Sequence, residues 1–171
     1  EGGDSRAQFN LGYYYDENSR LDEAKKWYIK AGEQGNVGAM LNLALIHGNE
    51  NNKKEEEAWY LKAAEAGSAQ AQFNLGVIDK NKKEYRKAEE WYLKAANQNY
   101  VPAYKAIGAL YSKKKDYKEA EKWWKLAGEK GHSDAQYSLG LMYKESGNYS
   151  DSIDWYTKAA ENGDTEAQYN L

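Results

Sequence analysis

The stretch AKKWYIKA, residues 24–31, decides the fold. Ala24, Trp27, Tyr28 and Ala31 stand at i, i+3, i+4 and i+7, which places them on one face of a helix. The same face returns as Ala88, Trp91, Tyr92, Ala95 in AEEWYLKA and as Ala120, Trp123, Trp124, Ala127 in AEKWWKLA. Large rings alternate with methyl-sized neighbours, which suits interdigitation across a helix pair. The tryptophans Trp27, Trp59, Trp91, Trp123 and Trp155 are separated by 32 residues at every step. A fixed period of this length is the mark of stacked supersecondary units. One such unit cannot bury its own apolar face, so each neighbour must cover the last.

A second phrase keeps the same step. AQFNLG fills residues 7–12 and again 71–76, AQYSLG fills 135–140, and AQYNL closes the chain at 167–171. Its alanines are Ala7, Ala39, Ala71, Ala103, Ala135 and Ala167, with no insertion between them. Four residues after each stands Leu11, Leu43, Leu75, Ile107, Leu139 or Leu171, and the next position is small: Gly12, Ala44, Gly76, Gly108, Gly140. A glycine inside a helix costs about 1 kcal/mol against alanine. Its recurrence predicts that another helix crosses close there.

The punctuation agrees. The tryptophan-bearing helices end at Gly35, Gly67, Asn99, Gly131 and Gly163, residue types that enter the left-handed region cheaply. Asn36, Ser68 and Asp164 follow as N-caps, with His132–Ser133 a looser version. Pro102 falls in the first turn of its helix, where a missing N–H does least harm. The expectation is an all-α chain forming one domain over 1–171. Its helix-pair repeats are 7–38, 39–70, 71–102, 103–134 and 135–166, with a truncated sixth first helix at 167–171.

These residues resemble two related families. AEEWYLKAANQN and KKWYIKAGEQG resemble the second helix of SEL-one-like repeats, and AQFNLG resembles their first helix. The positions Leu11, Gly12, Tyr15, Ala24, Tyr28 and Ala31 also match the tetratricopeptide pattern. The resemblance spans nearly the whole chain. It implies an α-α superhelix, a right-handed solenoid of antiparallel helix pairs, with first helices lining a concave face that serves protein–protein scaffolding. Two departures stand out. The link between helices is of tetratricopeptide length, and the cysteine pair that staples some bacterial relatives is missing, since the chain has no Cys. Repeat two is the weakest match, with His47, Lys53 and Glu56 at pattern positions, and is expected to be the least tightly packed.

Candidate binding residues lie on the first helices. Asn10, Asn42 and Asn74 share one offset, where an amide both donates and accepts and would grip the backbone of an extended peptide. Phe9, Phe73, Lys105 and Tyr137 share the preceding offset, with Leu41 and Tyr169; Tyr13 leads an apolar column with Leu45, Val77, Ala109 and Leu141. The competing expectation is structural: the asparagines bond neighbouring helices, and the apolar columns are packed because first helices are flanked on both sides.

The sequence expects no catalysis, cofactor or metal. His47 and His132 sit in unmatched columns, no thiol is available, and Ser112–Lys115 matches S-x-x-K without its companion motifs. The sequon Asn148–Tyr149–Ser150 is too short a pattern to carry weight. Net charge is −3, and no nucleic-acid motif occurs, so nucleic acid is not an expected partner. Residues 103–134 carry eight basic and five acidic groups, while 135–166 carry two and six. The run Lys113–Lys114–Lys115 reads as a solvated link or as an attractor for an acidic segment. No run is apolar enough for membrane insertion.

The expected partner is therefore a protein or peptide held on the concave face. The alternative is a segment of a longer array that makes contacts through its ends or convex face. The start at Glu1 rather than Met reads as a processed or trimmed terminus. The stop at Leu171 in mid-motif implies either continuation or end-to-end self-association. The abundance of Lys, Asn and Tyr is that of an AT-rich bacterial genome, which suggests a soluble protein of cytoplasm or periplasm.

Overall fold

A computed structural model describes residues 3–171. Among these residues there are eleven α-helices and no strand. They form two compact units, Glu1–Glu84 and Tyr85–Leu171. The first contains α1 (Ser5–Glu17), α2 (Leu21–Glu33), α3 (Val37–Asn49), α4 (Lys53–Glu65) and α5 (Ala69–Asn81). The second contains α6 (Tyr85–Ala96), α7 (Val101–Lys113), α8 (Tyr117–Gly128), α9 (Ser133–Glu145), α10 (Tyr149–Glu161) and α11 (Thr165–Asn170). Within the first unit α1 packs on α2 and α3 on α4, while α2 meets α3 and α4 meets α5. Within the second, α7 packs on α8 and α9 on α10; α6 meets α7, α8 meets α9 and α10 meets α11.

The second-helix stripe is the core. Ala24, Tyr28 and Ala31 have no exposed surface, nor do Ala88, Tyr92 and Ala95; Ala120 and Ala127 flank a Trp124 that is nearly as buried. The small column on the first helices faces those rings. A methyl group added at Gly12 would lie 2.6 Å from the Tyr28 ring, and one at Gly140 would lie 2.5 Å from the Tyr156 ring. Glycine is thus retained against helix propensity because the paired helices approach this closely. The tryptophan column does a different job, reaching across to the previous pair. Trp59 packs on Gly32 at the end of α2, and Trp155 on Gly128 at the end of α8. Lysine ammonium groups lie over four of these indoles, at 4.3 Å for Lys30 on Trp27 and 3.8 Å for Lys62 on Trp59, within cation–π range.

The expected helix ends are present. Gly35, Gly67, Asn99, Gly131 and Gly163 all have positive φ. The side chains of Asn36, Ser68 and Asp164 accept from backbone N–H groups three residues on, whereas His132 makes no such cap. A second left-handed column follows the first helices: Ser19, Asn51, Lys83, Lys115 and Gly147. Four of these five residues are not glycine, so residue type alone conceals the turn.

Repeat two differs from expectation. Its helices α3 and α4 bury as many residues as α7 and α8, and Trp59 is only 6% exposed. Glu56 is accommodated because Gly48 leaves room beside it and Lys53 neutralises it at 2.9 Å. His47 is largely enclosed, with Nδ1 3.3 Å from Glu50.

Candidate interaction face on the first helices

The exposed side of α1, α3 and α5 is the candidate site. Tyr13 is 51% and Leu45 49% exposed, and Val77 of α5, at the same offset, is half-buried. In the second unit Ala109 and Leu141 occupy this column and are also exposed. Exposed apolar side chains recurring on the same face of successive helices constitute an apolar strip rather than scattered surface residues. The Glu17 carboxylate, bonded to the Tyr13 hydroxyl, raises its pKa and holds it as a neutral donor.

The asparagines divide. Asn10 is exposed. Asn42 Nδ2 donates to the Tyr28 hydroxyl at 2.9 Å, and that hydroxyl lies 3.2 Å from Asp16 Oδ2. Burial pushes the Tyr28 pKa up to about 12, so it remains a proton donor. A side-chain hydrogen bond links Asn74 to Tyr60 in the same manner. In both repeats the amide reaches back to the ring of the preceding second helix, because the asparagine lies beside that helix rather than pointing wholly outward. Ser138 instead donates to the carbonyl of Asp134, one turn back in its own helix.

The neighbouring offset is mostly packed. The Phe9 ring lies 5.8 Å from Tyr28, and the Tyr137 ring 5.6 Å from Tyr156. Phe73 is half-buried. Lys105 pairs with Asp134 at 3.1 Å, while its backbone carbonyl accepts from the Trp124 indole. The lysine run is partly engaged: Lys113 donates to the Tyr85 hydroxyl and Lys114 pairs with Glu89, leaving Lys115 in the left-handed turn. Asn148 of the sequon is the N-cap of α10 and bonds Asp151. Among the described residues no group of three His, Cys, Asp or Glu is arranged to hold a metal. Among the described residues no helix is long and apolar enough to cross a membrane.

Two functional features escaped the sequence reading. One is the glutamine of the AQ phrase. Gln72 Nε2 donates to the carbonyl of Ala64, Gln136 Nε2 to that of Gly128, and Gln168 Nε2 to that of Ala160. Each glutamine thus ties its first helix to the end of the preceding second helix, occupying a carbonyl that lacks its full helical partner. The other is a set of ion pairs between repeats at a constant separation: Lys25–Glu50, Glu57–Lys82 and Glu89–Lys114.

Antiparallel helix pairs, a fixed repeat and contacts handed from one pair to the next define a helical repeat protein. The tetratricopeptide repeat model matches residues 5–31 and 37–66. The Sel1 repeat model matches residues 69–100, 103–132 and 133–164, more than half of the chain, and the chain belongs to the Sel1 repeat family. A protective antigen of uropathogenic Escherichia coli strains, displaying an SLR fold, is 30% identical over 99% of this chain, with a TM-score of 0.89. This chain spans 41% of that protein. A Sel1 repeat protein from Oxalobacter formigenes is 28% identical over 98% of this chain and 77% of its own, with a TM-score of 0.84. YrrB, a tetratricopeptide protein with an unusual peptide-binding site, shares the fold at 21% identity over 98% of this chain and 91% of its own, with a TM-score of 0.66. No curated protein sequence matches the chain. Repeats of this kind generally mediate protein–protein interaction and are generally non-catalytic.

Proposed function

We propose that the protein is a non-catalytic scaffold whose first-helix face, the concave face of the family's superhelix, holds an extended peptide or a segment of a partner protein. The observation that carries this reading is the exposed apolar strip of Tyr13 and Leu45 on the side turned away from the second helices. Burying two half-exposed apolar side chains of this size contributes about 1–2 kcal/mol. Tyr13 adds a phenol, a common anchor at interfaces. Asn42 donates through Nδ2 to the Tyr28 hydroxyl and Asn74 bonds Tyr60, which fixes their orientation; the Asn42 Oδ1 is the atom that accepts from a ligand backbone N–H. Asn10, Phe9 and Phe73 flank the strip as its polar and aromatic border, and within the second unit Lys105 and Tyr137 stand at the same offset beside the column of Ala109 and Leu141.

The test selects peptides from a displayed random library on the wild-type chain and measures their affinity for Tyr13→Ala/Leu45→Ser. A loss of about tenfold or more is expected. Undiminished affinity would place the binding surface elsewhere, on the ends or on the second helices, where Leu21 and Leu61 are 42% and 41% exposed.

A further inference from the structure

Within the second unit, the α6/α7 and α8/α9 grooves are built on one plan and filled differently. Each lies between the start of a second helix and the end of the first helix that follows it. Each carries two tyrosines and a glutamate at identical offsets: Tyr85, Glu89 and Tyr111 in the one, Tyr117, Glu121 and Tyr143 in the other. In both, the glutamate is hydrogen-bonded to the tyrosine of the first helix, Tyr143 donating to Glu121 at 2.5 Å.

Two lysines complete this frame in the α6/α7 groove. The Lys113 ammonium lies 4.2 Å from the centre of the Tyr85 ring and bonds its hydroxyl. Lys114 pairs with Glu89 and lies 4.9 Å from the Tyr111 ring. One repeat on, both lysines are gone, and Glu145 and Ser146 stand in their places. An open hollow of about 530 Å³ is found there, lined by Tyr117, Glu121, Met142, Tyr143, Glu145 and Ser146, with Lys118 at its rim. Tyr117 is 54% exposed, whereas Tyr85 is half-buried.

The nearby cations of the chain are engaged elsewhere. Lys125 pairs with Glu121 at 2.6 Å, and Lys144 bonds Asn170. Lys118 directly follows Tyr117, and adjacent residues on a helix do not face each other. Glu145 is exposed and enters no ion pair among the described residues. Its repeat, residues 135–166, has two basic groups against six acidic ones. An aromatic face beside an unpaired carboxylate attracts an ammonium or guanidinium group.

From these observations we infer that the α8/α9 groove takes a basic side chain, a lysine or arginine, from a segment of a partner protein. That side chain supplies from outside what Lys113 supplies from within one repeat earlier: its charge pairs with Glu145 and lies against the Tyr117 ring. The site is independent of the peptide-binding reading, since it shares no residue with the Tyr13–Leu45 strip or with the column of Ala109 and Leu141.

The experiment is an NMR titration of the isotope-labelled chain with the blocked tetrapeptide acetyl-Gly-Lys-Lys-Gly-amide, and with the same peptide acetylated on both lysine side chains. The unmodified peptide is expected to give saturable amide shifts confined to residues 117–121 and 142–146, weakening as salt is raised. The acetylated peptide is expected to give none. Glu145→Lys/Ser146→Lys restores the lysine pair of the preceding groove and is expected to weaken binding tenfold or more, with the helical circular-dichroism spectrum intact. Tyr117→Ala changes an exposed side chain and is expected to weaken binding by roughly threefold, one lost cation–π contact. Absence of saturable shifts in the groove would overturn the inference. An equal response to the acetylated peptide, or undiminished affinity in both variants, would do so as well.

Discussion

The same chemical change, Tyr→Phe, should have opposite effects at two equivalent positions. Tyr28 and Tyr156 are both buried on their second helices, and each ring faces a glycine, Gly12 or Gly140. Only the surroundings of the hydroxyl differ. Tyr28→Phe removes an acceptor for Asn42 at 2.9 Å and a donor to Asp16 at 3.2 Å. A neutral hydrogen bond contributes about 0.5–1.5 kcal/mol and one to a charged group about 1.5–3 kcal/mol. Both partners are half-buried, so water replaces part of each bond, and the net loss should be about 2 kcal/mol. Tyr156→Phe removes a hydroxyl that is buried without a partner among the described residues. Its desolvation costs about 1–3 kcal/mol in the folded state, so its removal should stabilise by about 1 kcal/mol. The two variants should therefore differ by about 3 kcal/mol. For a chain of this size that corresponds to a fall in Tm of roughly 4–8 °C for Tyr28→Phe and a rise of roughly 2–4 °C for Tyr156→Phe. Helical arrays do not always unfold in one step. Hydrogen exchange of α2 and α10 amides is therefore the deciding assay. Equal destabilisation at both positions would refute the reasoning, because Tyr156 would then have a bond to lose.

Three further outcomes follow from the packing and charge. Gly108→Ala should destabilise by about 1–2 kcal/mol in denaturant titration, because the added methyl meets the Trp124 ring within 3 Å and overpacking outweighs the roughly 1 kcal/mol gained in helix propensity. Lys115→Gly should raise the denaturant midpoint by an amount equivalent to about 0.5–1 kcal/mol, since a φ of 63° is strained for lysine and relaxed for glycine. Lys125 and the Tyr143 hydroxyl hold the Glu121 carboxyl below its ordinary value of 4.5. Its contribution is complete above that value and is lost as pH falls through the lowered folded one. The Tm difference between wild type and Glu121→Gln should accordingly be constant at neutral pH and shrink to nothing in strong acid.

The repeat, the helix pairing and the core stripe were legible because each rests on residue size recurring in one column. Alanine, tryptophan and tyrosine at i, i+3 and i+4 have no economical use except a buried seam, and Gly12, Gly108 and Gly140 show where rings cross. The left-handed column after the first helices was not legible. Ser19, Lys83 and Lys115 carry no glycine-like signature, and their conformation is imposed by the helices on either side. The role of Asn42 was also hidden. Its column holds an amide that both donates and accepts, but the Tyr28 hydroxyl that takes its Nδ2 proton lies 14 residues earlier, in the preceding repeat. Gln72 and Gln136 were hidden for the same reason: their acceptors are backbone carbonyls, which no side-chain pattern displays.

The ion pairs between repeats show most directly how identical units acquire individual interfaces. Lys25–Glu50 has the cation on the second helix, whereas Glu57–Lys82 and Glu89–Lys114 have it on the following first-helix end. The separation is 25 residues in each case, yet the sign reverses, so a search for conserved residue type within a column finds nothing. Exposed pairs of this kind contribute at most about 1 kcal/mol each. Their larger effect is on register, because like charges brought together by a misplaced repeat repel.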